Sequence, residues 1–144
     1  MVFLSLVACG TPWTLDGGWG GRSVCEDDDV LDVEAIFDAD PETGVVDGLF
    51  VIDLPLDLGL LGEIVTVQRA TIEDGVLTLS DGEVDVGGHL ARDPSYTNGE
   101  TREYTFTLGG AEGDETLEGT LDRVNGEGQV LLACDLELDR LHEP

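Results

Sequence analysis

Leu31-Asp32-Val33-Glu34-Ala35-Ile36-Phe37-Asp38 is the most informative stretch of this chain. Leu31, Val33, Ala35 and Phe37 alternate with Asp32, Glu34 and Asp38, the period of two that sends successive side chains to opposite faces of a strand. One face is apolar and the other charged, so the strand is half-buried. Working outward, Asp40-Pro41-Glu42-Thr43-Gly44 makes a turn, and Val45 to Leu54 places Val46, Phe50, Ile52 and Leu54 on one face. Gly48 within it marks a bulge or a close approach of backbone. Ile64 to Ile72 and Val76 to Leu79 flank Asp74-Gly75, a two-residue hairpin signal, and Glu83 to Gly87 continues after Ser80-Asp81-Gly82. Arg92 to Gly99 is the longest polar interruption and reads as a surface loop, after which Arg102, Tyr104, Phe106 and Leu108 resume the alternation. Thr116 to Val124 and Gln129 to Leu138 form a last hairpin around Asn125-Gly126, with Val130, Leu132, Cys134, Leu136 and Leu138 sharing a face. Leu54 to Gly62 fits no plain strand and reads as a long apolar loop or a lid over one end.

Helical spacing is nowhere sustained, and the strands number eight or nine with hairpin-length links. The expected fold is all-β, an antiparallel up-and-down meander of about eight strands closed as a small barrel, with a β-sandwich as the alternative. The length, 144 residues, suits one domain. A hydrophobic fraction of 41% supplies a core and excludes wholesale disorder, despite 32 Asp and Glu against six basic residues, all of them Arg. A net charge of -26 repels phosphate backbones and anionic headgroups, which excludes nucleic acid as a partner. The same excess of acid predicts a fold that salt stabilises.

The first residues, Met1-Val2-Phe3-Leu4-Ser5-Leu6-Val7-Ala8, are uncharged and almost wholly apolar, and they run into Cys9-Gly10. They read as a signal-peptide remnant spanning residues 1–8. Leu6-Val7-Ala8-Cys9 resembles the lipobox of bacterial lipoproteins, in which small residues admit a peptidase and the cysteine thiol carries the lipid. The resemblance implies lipidation at Cys9 and export. It makes the membrane a partner through a lipid anchor, on the periplasmic side of the outer membrane or at the cell surface. Residues 9–15 are then the lipidated terminus and a short tether, 16–140 the barrel domain and 141–144 a tail. Removing Cys9 leaves Cys25 and Cys134, an even pair in an exported chain, and a disulfide between them is expected, with two buried free thiols as the alternative. Such a bond demands Cα atoms within about 7 Å. An up-and-down barrel meets that demand, since its first and last strands are neighbours, although a sandwich can also bring termini together.

Gly17-Gly18-Trp19-Gly20-Gly21 opens the first strand, and its Gly17 and Trp19 resemble the Gly-x-Trp that begins lipocalin-like (calycin) barrels. The resemblance implies one role, that of Trp19 plugging the closed end. Trp13 reads as a filler of the barrel bottom or as the lining of a pocket mouth.

No residue is assigned to catalysis or to a metal. With so many carboxylates, pairs arise by composition alone, and Glu26-Asp27-Asp28-Asp29, which offers oxygen ligands of the kind calcium takes, reads first as a solvated loop. Asp38 to Gly44 has its glycine out of place for a calcium loop and reads as a turn. His89 and His142 have no neighbouring Ser or Cys arrangement that makes a nucleophile. The expected function is therefore non-catalytic and needs no cofactor. The first form of it is a lipid-anchored envelope protein whose barrel binds a small apolar ligand. The alternative is a structural or protein-interaction module with a barrel filled by its own side chains and an envelope protein as partner.

Overall fold

The structure is a computed structural model, and it describes residues 13–57, 59–92 and 103–141. Its strands are β1 Gly17–Cys25, β2 Val30–Ala39, β3 Val45–Asp57, β4 Glu63–Ser80, β5 Glu83–Arg92, β6 Glu103–Ala111, β7 Thr116–Val124, β8 Val130–Leu132 and β9 Cys134–Arg140. β8 and β9 are one stave interrupted at Ala133, so the sheet is an antiparallel meander of eight staves. It closes because β9 pairs with β1, from Cys134 opposite Cys25 to Arg140 opposite Trp19, while also pairing with β7. The barrel is the expected fold, and the sandwich is set aside. Cys25 and Cys134 are bonded across this seam, with Cα atoms 3.9 Å apart and 109 residues between them in sequence.

Strict alternation explains which residues face inward. In β2 every second residue, Leu31, Val33, Ala35, Phe37 and Ala39, is buried and every other one is exposed. Phe37, Phe50 and Phe106 meet in the interior with ring centroids 4.8 to 6.1 Å apart. Inward positions on alternate staves carry glycine: Gly21 on β1, Gly48 on β3, Gly88 on β5 and Gly119 on β7. A Cβ at Gly21, Gly48 or Gly119 would stand 1.8 to 1.9 Å from a carbonyl oxygen of the adjoining strand. These are the corners at which the sheet coils tightly enough to close.

The two ends of the barrel differ. At the lower end, Trp13–Asp16 crosses the mouth: the Trp13 indole donates to Asp114 O at 3.2 Å, while Asp16 Oδ1 accepts from Ala39 N at 2.6 Å. The expected tether over 9–15 is therefore too long, because Trp13 packs against the core and Leu15 is buried within it. Leu141, assigned to the tail, also belongs to the barrel: its N–H donates to Gly18 O at 3.0 Å, and its side chain covers Gly20.

Three local expectations are corrected. Asp74-Gly75 is not a hairpin. β4 runs through it, and the two residues form a bulge opposite Gly88, with Asp74 at φ 55°. Asp-Gly signals a backbone that tolerates positive φ, and a bulge uses that tolerance as a turn does. The tight turn is Asp81-Gly82, with φ of 53° and 81°, between the paired Ser80 and Glu83. The last hairpin turns over Asn125–Gln129, where Asn125 N donates to Gln129 O, so Val130 starts the stave exposed instead of sharing the buried face of Cys134, Leu136 and Leu138.

Leu54 to Gly62 is neither loop nor lid. β3 continues through Leu54–Asp57 in register with Thr66–Glu63 of β4, and a 3-10 turn at Gly59–Leu61 joins them. Pro55 is tolerated there because among the described residues β2 pairs with β3 no further than Asp53, which leaves this part of β3 as an edge.

Candidate functional site

Three places invite the search for a site: the barrel interior, the plugged lower end and the outer wall. In the interior, Trp19, Phe50, Ile52, Leu90, Leu117, Leu121 and Leu138 are wholly buried. A side chain bordering a void large enough for water would show accessible surface to it, so around these residues the barrel is packed side chain to side chain. Two polar atoms inside, Ser23 Oγ and Gln68 Oε1, find no hydrogen-bond partner among the described residues. They stand on β1 and β4.

The lower end is built on Trp19. Its indole Nε1 donates to Leu15 O at 3.0 Å, and the Arg140 guanidinium lies 4.3 Å from its ring centroid. Arg140 also donates from Nη1 to Asp16 O at 2.9 Å and from Nη2 to Thr14 O, and its Nε stands 3.7 Å from Glu115 Oε2. One cation thereby satisfies two carbonyls of the plug, covers an aromatic face and meets a carboxylate. The inward, plugging position of Trp19 is the one expected of it. Arg140 was not singled out in the sequence, where it is a charged residue in step with the inward set Cys134, Leu136 and Leu138 at the end of an alternating strand.

The Glu26–Asp29 cluster is a turn that satisfies its own backbone: Cys25 N donates to Asp29 O at 2.9 Å, and Asp27 Oδ1 accepts from Asp29 N at 3.1 Å. Glu26 Oε1 accepts from Ala133 N at 3.2 Å, tying the turn to the last stave. Asp40 organises the Asp38–Gly44 turn in the same way, accepting from Glu42 N at 2.9 Å. His89 lies on the wall with Nε2 4.0 Å from Glu103 and with Glu73 opposite it in the ladder. Cys9, His142 and residues 93–99 of the expected Arg92–Gly99 loop lie outside the described residues, while Arg92 itself closes β5 opposite Ala70.

The outer wall is acidic and open. One of several shallow clefts on it, of about 550 Å³, is bordered by Arg22, Glu118, Asp135 and Glu137. Carboxylates stand directly opposite one another at Asp32 and Asp53, at Asp38 and Asp47, and at Glu118 and Glu137. Like charges in register cost a few tenths of a kcal/mol or more per pair, and salt screens them. The melting temperature should therefore rise by about 4 °C or more between low salt and 1 M NaCl, which differential scanning calorimetry would measure. A melt that is flat over that range would mean the opposed carboxylates do not strain the fold.

Comparison of the chain with protein-family models, with curated proteins and with solved structures returned no match. The fold and its ends define an eight-stave antiparallel barrel, plugged below by Trp13–Asp16 and tied along its seam by a disulfide.

Proposed function

We propose that this chain is a non-catalytic protein of the cell envelope, exported and lipid-anchored through Cys9, whose barrel is a filled interaction or structural module and not a container. The observation that carries the reading is the interior, where Phe37, Phe50 and Phe106 are at most 2% exposed and touch one another where a ligand would sit. A lipocalin-like container needs that volume empty. Trp19 at the plugged end supports kinship with lipocalin-like barrels in architecture, and the disulfide supports an oxidising compartment. The acidic wall supports a role at a surface where solubility and charge select partners.

The test is mass spectrometry, native and denaturing, of the protein purified from its own host under non-reducing conditions. The expected result is a chain beginning at a lipidated Cys9, about two mass units below its reduced form, with nothing bound inside. A small molecule retained in stoichiometric amount would return the container reading, and a chain without lipid would remove the anchor.

A further inference from the structure

Among the described residues, the hairpin of β3 and β4 runs past the ladders of the staves beside it. Its ladder runs from Leu54 opposite Thr66 to Asp57 opposite Glu63, and among the described residues the staves on either side stop short, β2 at Asp53 and β5 at Ala70. A two-stranded ribbon by itself is marginally stable, and this one puts two leucines at its tip. Leu60 is 107% exposed and Leu61 84%, held out between Gly59 and Gly62, whose φ values are 67° and 90°. Val67 at its base, and Val24, Val30 and Leu131 around the same rim, are exposed as well.

We infer that this arm is a docking element for a partner protein that presents an apolar pocket within a basic surface, on the side facing away from the lipid anchor. The inference rests on the anchored interaction module proposed above. Trp13–Asp16 crosses the opposite end of the barrel, and Cys9 precedes Trp13 by four residues, a reach of about 14 Å even when fully extended. β3 climbs from the lower end to the arm over 13 residues, about 40 Å along the strand and roughly 30 Å along the barrel axis at a usual tilt. The leucine tip therefore stands clear of the leaflet that holds the anchor. Charge selects among the remaining occupants. Glu26–Asp29 lies on the same rim, Asp32 and Asp53 stand beside the base of the arm, and the chain carries -26 in all. A second copy and an anionic lipid surface are both repelled, whereas a cationic protein is drawn in and oriented. Each leucine that such a pocket buries strengthens the complex about tenfold or more.

The test places the photo-reactive residue p-benzoylphenylalanine at position 60 of the full chain in its own host, with position 36 or 76, both exposed on the wall, as controls. The expected result is one hetero-adduct from position 60 that is absent from 36 and 76. Its partner peptides should come from a basic protein, and its yield should fall at least tenfold when L61D is added. Retention of the disulfide mass and of the near-ultraviolet circular dichroism shows that L61D still folds. Adducts that form equally from the wall positions would overturn the arm while leaving an interaction module standing. A product of twice the chain mass, an adduct with lipid, or no adduct from position 60 would also overturn it. A stoichiometric small molecule in the native spectrum would instead sink the reading on which the arm depends.

Discussion

Replacing Gly119 by alanine will destabilise the barrel by about 3 kcal/mol, lowering its melting temperature by roughly 10 °C. The added methyl would lie 1.8 Å from Thr107 O and 2.6 Å from the carbonyl carbon behind it. The obstacle is backbone, so no rotamer change relieves it, and β7 would have to move more than 1 Å away from β6 to restore an ordinary contact of about 3 Å or more. That movement strains the ladder in which Gly119 pairs with Leu108 and Leu136. Leu117 and Leu121, on either side of it, are wholly buried and resist the shift. Gly119 is not among the positions of positive φ, so the loss is steric and not conformational. Gly126, in the turn between β7 and β8, provides the contrast: nothing lies within 4 Å of its added Cβ, and alanine there should change stability by no more than about 0.5 kcal/mol. Thermal melts of the two variants decide the matter. If Gly119→Ala melts with the wild type, the corner does not need its glycine.

That corner shows where the sequence stops being readable. Strict alternation made the inward residues of β2 legible one by one, as it did Tyr104, Phe106 and Leu108 in β6 and Leu136 and Leu138 in β9, because period two is a local property of one strand. An inward glycine is a gap in the same pattern, and its reason lies in a carbonyl on the adjoining strand, such as Thr107 O for Gly119. Asp74-Gly75 failed for a related cause. The dipeptide announces positive φ, while only the neighbouring strand decides whether that bends the chain back or inserts a bulge opposite Gly88. The arm over 54–66 was hidden by Pro55, which breaks a central strand but is harmless where an edge goes unpaired. Arg140 reaches Thr14 O from 126 residues away, and no spacing rule spans such a distance. The functional reading inherits this limit, since the leucine tip is informative only once Leu60 and Leu61 are known to be exposed beyond the barrel wall.

The second large effect is expected at the seam. Cys25→Ala with Cys134→Ala should lower stability by roughly 2–5 kcal/mol, the upper part of that range being the chain-entropy figure of about 4.7 kcal/mol for a loop near 100 residues. Here the loop is 109 residues and contains every stave between the first and the last. Once the bond is gone, the seam keeps its ladder from Asp135 opposite Val24 to Arg140 opposite Trp19, and it keeps the plug in which Arg140 covers Trp19. The variant should therefore still fold to a closed barrel. Urea unfolding should show the midpoint falling, while the slope holds or rises slightly because the unfolded chain is freed to expand. Kinetics sharpen the expectation, since joining β1 to β9 is the most non-local step of the meander and the disulfide performs it before folding starts. Most of the lost stability should appear as slower refolding if the seam forms by the transition state, and as faster unfolding if it zips last. An unchanged urea midpoint would mean that the ladder and the Trp19–Arg140 plug hold the barrel shut without the covalent bond.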